Sequence, residues 1–394
     1  MNELVNPSPN NFGSFFCSLL IISITLLFGC GEKKVEIQRT AQFDIQNISS
    51  LHFSISKENV EILDLSDFPT LIGQIKHLEL FDDLVIIQDG ELKLINLVTK
   101  DVKQLAKKGN GPYEFLSISA VKANSSGIYF TDRRQMKLQK VSFEGEPIFE
   151  IDIDCNPSDF AILNDTVIAF FHGSHPFQGK NSRVSLFNIN QEKHFAFFIQ
   201  YPTKHYDFLH FDDWNNFTGN HSPMLGFSGN NDIYIINDKL ELTPFLRVDF
   251  GNKGLTTEIL NIDYDEVFEF ATEMDQKGVF CRFISTYETN NYLIFSTRVG
   301  SDWFLGSYSK HSETAALYNT ITFNDLDPVK IDFNLIPKGY FNNQIVLILE
   351  PHNITNNPQL LDILTTCGYS GLQPITKNSN PIVILINENS INTI

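Results

Sequence analysis

ISAVKANSSGIYFTDRRQMKLQKVSFEGEPIFEIDI, residues 118–153, decides how this chain folds. It holds four runs of β-forming residues, at 118–122, 127–132, 136–143 and 148–153. Short polar turns separate them, around Asn124-Ser125-Ser126, Arg133-Arg134 and Glu144-Gly145-Glu146-Pro147. Asn, Asp and Gly tolerate the positive φ that tight hairpins demand. Runs of about six residues rich in Ile, Val, Phe and Tyr have strand length and are too short for ordinary helices. The stretch therefore reads as four antiparallel strands joined by hairpins.

The same turn-plus-run pattern occurs six times. The runs are LVIIQD (84–89), GIYFTD (127–132), TVIAFF (166–171), DIYIIN (232–237), YLIFST (292–297) and QIVLIL (344–349). Their starts are 43, 39, 66, 60 and 52 residues apart. The first copy has strand-like neighbours at 75–80, 92–97 and 102–106, and the third at 159–163, 184–189 and 194–200. Four-stranded units at this period are propeller blades, and each must pack on its neighbours to bury both faces. The last unit lacks a strand after 382–387, and LHFSIS (51–56) alternates strictly enough to supply it. The expected fold is all-β: a six-bladed β-propeller with short helical insertions, its N-terminal strand closing the last blade. Two β-sandwich domains are the alternative, and they do not explain the recurrence.

Four stretches break the period: 173–181, 201–222, 253–277 and 351–380. Apolar residues recur at helical spacing over 260–271, and Leu360, Leu361 and Leu364 suggest a second short helix. Insertions map to loops, often on one face, where binding usually resides.

The N-terminus gives an address. FFCSLLIISITLLFGC (15–30) is too short for a membrane span and ends Leu27-Phe28-Gly29-Cys30. That ending resembles a bacterial lipobox, in which Cys30 is acylated. The expected organisation is a lipoprotein signal peptide at 1–29, a tether at 30–46 and the propeller at 47–394. Gly31 after Cys30 favours an outer-membrane lipoprotein of the cell envelope, so the membrane is one partner, reached through the lipid anchor. The n-region departs from the usual pattern, because residues 1–14 contain no Lys or Arg.

GNGPYEF (109–115) follows the first unit directly. It resembles the Gly-x-Gly-Pro-Gly-Glu-Phe/Tyr signature found between blades of six-bladed propeller lipoproteins of Gram-negative bacteria, relatives of NHL-type propellers. Tyr113 stands where that signature usually has Gly. The blade at 118–153 and the closing order of VDFG, a helical insertion, NNYLIFST and PIVILI fit the same family over about residues 45–390. The resemblance implies fold and export and no particular reaction.

Composition narrows the chemistry. A net charge of −18 without a basic stripe argues against nucleic-acid binding. Removing 1–29 leaves Cys155, Cys281 and Cys367, with no CxxC, which reads most simply as three buried thiols. No Walker lysine, Gly-x-Ser-x-Gly elbow, HExxH or calcium loop occurs, so no cofactor is expected. Candidate ligand residues fall in two places. Asp132, Arg133 and Arg134 sit in one hairpin, where Arg can fork onto carboxylates or stack on rings. Tyr206, His210, Asp212, Asp213 and Trp214 mix flat apolar faces with carboxylates, which suits a glycan, a peptide or an envelope protein. The metal-ligating candidates are His172, His175 and His210, against a commoner reading as ordinary loop or core histidines. The expected function is a non-catalytic binding or scaffold lipoprotein. The competing expectation is a glycan lyase or hydrolase working in the central funnel.

Overall fold

Residues 118–153 form the four-stranded antiparallel sheet that their pattern predicts. Its strands are Ile118–Asn124, Gly127–Asp132, Lys137–Val141 and Pro147–Asp152. Phe130 sits opposite Val121 on one side and Gln139 on the other. Gly127 makes the first hairpin possible: its φ is +138°, and a Cβ there would lie 2.6 Å from the Val141 carbonyl oxygen. The computed structural model describes residues 39–45, 48, 53–173, 177, 180–200, 217–218, 222–260, 267–280, 282–324, 326–371 and 374–392. All belong to one compact unit, Ile37–Ile394.

Neighbouring repeats build similar sheets. The first is His77–Phe81, Leu84–Gln88, Leu92–Asn96 and Val102–Ala106. The third is Asp159–Asn164, Val167–Phe171, Ser182–Asn188 and Lys193–Gln200. The fourth is Phe217–Thr218, Met224–Leu225, Asp232–Ile236 and Leu242–Asp249, extended by Thr40–Gln42 running parallel to the last. The fifth is Arg282–Glu288, Tyr292–Val299, Asp302–Ser309 and Ala315–Tyr318.

Successive strand residues point to opposite faces, so each sheet feeds two cores. Ile86 packs with Val121 and Phe130 of the second sheet. Its neighbours Val85 and Ile87 pack with Val346 and Val383, far along the chain. The pattern continues round the molecule: Tyr129 and Leu138 meet Phe160 and Phe170, and Ala169 and Leu186 meet Leu225 and Ile236. This is a β-propeller.

The expected six-blade count does not stand, because the described residues form seven sheets. The additional, sixth sheet is made of short pieces: Thr320–Phe323 and Val329–Lys330 join Phe53–Ile55 and Ile391–Asn392. Phe53 and Ile321 share one core with Ile294 and Leu305 of the fifth sheet and Ile345 and Leu347 of the seventh. The first strands of the other six sheets touch in a closed cycle.

Ring closure also differs in detail from the expectation. The seventh sheet is Gly339–Phe341, Gln344–Leu349, Ile382–Asn387 and Val60–Asp64. Its closing strand is Val60–Asp64, antiparallel to Ile382–Asn387, with Ile62 opposite Ile384. The strand inside 51–56 belongs instead to the sixth sheet, where it runs parallel to Thr320–Phe323.

The second suggested helix is present, and the first in part, since it starts within 260–271 and runs beyond it while 261–266 lie outside the described residues. Val267–Lys277 is an 11-residue helix, and Pro358–Thr366 a second. Pro358 opens the latter at its first turn, and the Asn357 side chain caps it by accepting from the Gln359 N–H at 3.1 Å. Cys155 and Cys367 are free thiols, the first buried and the second half-buried, and Cys281 lies outside the described residues. No described helix is long and apolar enough to cross a membrane.

The inter-blade loop GNGPYEF is a folded knot. The Glu114 carboxylate turns back to accept from Gly111 N–H at 2.8 Å and pairs with Lys107 at 3.3 Å. Gly109 leaves the room, since a Cβ there would overlap that carboxylate. Tyr113 has φ +57°, the left-handed conformation that a glycine adopts without strain. For a residue with a Cβ it costs about 1–2 kcal/mol.

Two outcomes follow from this architecture. Tyr113→Gly relieves the strain but frees the unfolded chain, so it stabilises by a net of about 0.5–1 kcal/mol, read as a raised urea midpoint. Removing residues 1–65 strips the closing strand and leaves Ile382–Asn387 as an open apolar edge. That protein elutes as aggregate on size exclusion, whereas one lacking only 1–38 stays monodisperse.

Candidate functional site

The closed cycle of first strands encloses a cavity of about 290 Å³. Glu79 and Lys122 stand in its wall, from the first and second sheets. The strands meeting here come from different blades, and side chains lace them together. Lys122 Nζ donates to the Phe217 carbonyl at 3.1 Å and lies 3.7 Å from Asp159 Oδ1. Asp159 accepts from Phe217 N–H at 2.7 Å and from its neighbour Phe160 N–H at 2.8 Å. Thr218 donates its hydroxyl to the Thr286 carbonyl, and Tyr287 donates to the Pro337 carbonyl at 3.2 Å. His77 donates to the Ile118 carbonyl and Glu79 accepts from Ala123 N–H.

Removal from bulk water sets the protonation here. Burial raises the Glu79 carboxyl to about 7; the Lys122 ammonium opposes that rise and Asp159 adds to it. Burial, with Lys122 nearby, lowers the His77 imidazole to about 4. At neutral pH the site therefore holds a neutral imidazole, a half-ionised carboxyl and the Lys122–Asp159 pair. Such an arrangement can bind a polar group, and Glu79 can give or take a proton near pH 7.

The cavity lies away from the face where sequence reasoning looks for ligands. Its lining includes Asn124, Asn164 and Phe341, the last residues of their first strands before short turns. Most of the insertions follow second or fourth strands instead. Residues 172–181 join the second and third strands of their sheet, 250–281 join the fourth and fifth sheets, and 350–381 follow Gln344–Leu349. With the first strands running one way around the axis, those loops emerge at the opposite end of the channel.

The sequence candidates fall into three groups. Asp132 is fully buried, and its carboxylate accepts from four backbone N–H groups: Leu116 at 2.5 Å, Ser117 at 3.3 Å, Arg134 at 2.8 Å and Gln135 at 3.1 Å. It ties the hairpin to the GNGPYEF loop. Arg133 and Arg134 are exposed on that turn, so the structure does not bring the three together around one point. Tyr206, His210, Asp212, Asp213, Trp214, His175 and the lipidation candidate Cys30 lie outside the described residues.

His172 is a core residue of the third sheet. Its Nε2 lies 2.8 Å from Ser185 Oγ, which is 2.9 Å from His194 Nδ1, while His194 Nε2 lies 2.8 Å from the Ile153 carbonyl. The carbonyl only accepts, so His194 carries its proton on Nε2 and receives the Ser185 hydroxyl at Nδ1. Ser185 then accepts from His172 Nε2–H, and His172 Nδ1 has no hydrogen-bond partner among the described residues. Burial lowers both imidazoles, that of His172 to about 3. Among the described residues no three His, Cys, Asp or Glu side chains gather to hold a metal.

Sequence reasoning missed Glu79, Lys122, Asp159 and His77. Each sits in a first strand whose alternation is the only signal it carries, and no local motif joins residues 77, 122 and 159. A polar residue at an inward position of a predicted innermost strand is the clue that was present.

Comparison with known proteins agrees with the fold. A Bacteroides fragilis protein described as exported superposes with a TM-score of 0.63 at 14% identity, covering 87% of this chain and 100% of its own. A member of the DUF4221 family from Bacteroides vulgatus gives 0.48 at 9% identity, over 84% and 98% of the two chains. Virginiamycin B lyase from Staphylococcus aureus gives 0.43 at 13%, over 83% and 98%. At these identities the first likeness speaks to fold alone, and the other two carry no argument. None of the curated proteins matches the chain in sequence. The family model that matches, over residues 44–387, describes a domain of unknown function, and the chain belongs to that family, DUF4934.

Proposed function

We propose that the chain is an exported cell-envelope protein that binds a small ligand, or the tip of a glycan or peptide, in its central channel without transforming it. The cavity walled by Glu79 and Lys122 carries this reading. Its size, near the lower end for ligand pockets, suits one small molecule or one residue of a chain. Export is supported by the lipobox-like ending at Cys30 and by the fold shared with a protein described as exported. In this reading Cys30 carries the lipid and the outer membrane is the address, and the tether is shorter than 30–46, because Thr40–Gln42 already pairs with the fourth sheet and Ala41 and Phe43 are buried in its core. The loop-rich end, where Arg133 and Arg134 are exposed, is the face offered to a larger envelope partner.

A second reading rests on Glu79 alone. A carboxyl titrating near 7 in a cavity is placed to act as a general acid, and the channel is then a hydrolase or lyase site.

The protein from residue 37 onward tests both readings in a thermal-shift panel of sugars, short peptides and small metabolites. The expected result is a dose-dependent shift that a substitution in the channel wall, Glu79→Gln or Lys122→Met, changes and Arg134→Ala preserves. The reverse pattern moves the site to the loop-rich end. Turnover of any panel member that Glu79→Gln stops replaces binding with catalysis.

Stability carries a second signature of the site. Glu79 titrates at about 7 in the folded state against an ordinary 4.5, so the folded protein holds the extra proton between those values. Its contribution is full below about pH 4.5 and is lost as pH rises through 7. Glu79→Gln does not share that loss. Relative to the parent, the variant gains about 1–3 kcal/mol between pH 4.5 and 8 in urea denaturation. A difference that stays flat with pH places the carboxyl in water instead.

A further inference from the structure

The charge inventory of the channel is unbalanced. Lys122 is already engaged by Asp159 and by the Phe217 carbonyl. Asp159 in turn holds Lys122 and two backbone N–H groups. The charged groups that act on Glu79 are Lys122, on the neighbouring first strand, and Asp159, with His77 on its own strand; the hydroxyls of the lining residues Tyr287 and Tyr340 are taken up by the Pro337 carbonyl and by Asn343 and Glu388. Among the described residues Glu79 makes no ion pair of its own. It keeps partial contact with the cavity and one backbone donor.

We propose, on the footing of the channel-binding reading, that the ligand is a small organic cation whose ammonium group sits against the Glu79 carboxylate. A cation supplies the counter-charge that the wall lacks. Tyr287, Tyr340 and Phe341 contribute to the lining, and an aromatic ring whose face meets the bound ammonium adds to its attraction. The volume of about 290 Å³ admits an amine of a few heavy atoms. The chain's net charge of −18 raises the local concentration of cations and lowers that of anions.

Binding of a cation then expels a proton. The empty site holds Glu79 about half protonated at pH 7, and an ammonium beside it favours the carboxylate. Roughly half a proton leaves per cation bound at pH 7. Affinity rises about tenfold from pH 6 to pH 8 and then levels off.

Ethanolamine, choline and putrescine are the probes, set against the uncharged ethylene glycol and 3,3-dimethylbutan-1-ol and the anion acetate. Titration calorimetry at pH 7 in two buffers of different ionisation enthalpy reads affinity and proton release together. The expected result is binding of at least one amine, at least tenfold weaker binding of its uncharged counterpart, and proton release near one half. Glu79→Gln, with its fold checked by circular dichroism, weakens the amine at least tenfold. Should that variant not fold, proton release by the unaltered protein still decides. Equal binding of charged and uncharged partners, or no proton release, overturns the cation. Binding of acetate, neutral sugars or peptides alone, lost in Lys122→Met, overturns the cation and leaves the channel reading standing. No binding by any of these compounds overturns both.

Discussion

Ring closure is the constraint on which the rest of this molecule depends. A propeller sheet buries both faces only if it has a neighbour on each side, so every core between sheets presupposes that the circle is complete. Here the circle is completed by Val60–Asp64 pairing with Ile382–Asn387, across more than 300 residues of chain. The same N-terminal segment does more than close one sheet. Thr40–Gln42 extends the fourth sheet and Phe53–Ile55 joins the sixth, so about 25 residues touch three sheets in turn. Such pairings come at a high loop-closure entropy and cannot form until the intervening sheets exist. The N-terminal strands are therefore expected to dock late, and the sheet edge at Ile382–Asn387 stays open until they do.

Closure also creates the cavity. Six first strands converge on the axis, where their backbones are too far apart to form one continuous ladder. Side chains take over: Asp159 and Lys122 bridge the second, third and fourth sheets, Thr218 reaches the fifth, and Tyr287 reaches Pro337 before the seventh. Buried ion pairs add little net stability because desolvation offsets much of their attraction. Their use here is positional. Asp159 receives Phe217 N–H and so fixes where the short Phe217–Thr218 strand begins, after a long insertion whose sequence specifies little about that point.

Much of the fold is legible in sequence because sheets one to three obey local rules. The runs LVIIQD and GIYFTD follow FDD and ANSS, and each yields a hairpin at the expected place, to within two residues. The sixth sheet breaks those rules. Its strands are two to four residues long and come from three distant parts of the chain, so no turn or periodic run announces them. The same logic misplaces closure. LHFSIS alternates better than VEILD, yet VEILD pairs with Ile382–Asn387, because register around a closed ring is decided by neighbouring cores rather than by propensity. Site residues divide in the same way. Asp132 and His172 stand out in sequence because they sit beside Arg and His in short motifs, and both prove to be internal fasteners. Glu79, Lys122 and Asp159 are scattered over 80 residues, and only the closed ring brings them together.

The manner in which this protein treats its buried polar groups singles out Glu79. Asp132 is surrounded by four backbone donors. Asp159 has a lysine and two N–H groups. His172 and His194 are kept neutral and joined through Ser185. Each arrangement removes most of the penalty of burying a polar group. Glu79 receives one N–H and a share of a lysine that is already engaged, and its raised pKa expresses what remains unpaid. A glutamine fits the same space without that penalty. A carboxyl at a position where an amide is more stable marks a place where local consistency yields to another requirement, and the proposed cation is a requirement of that kind.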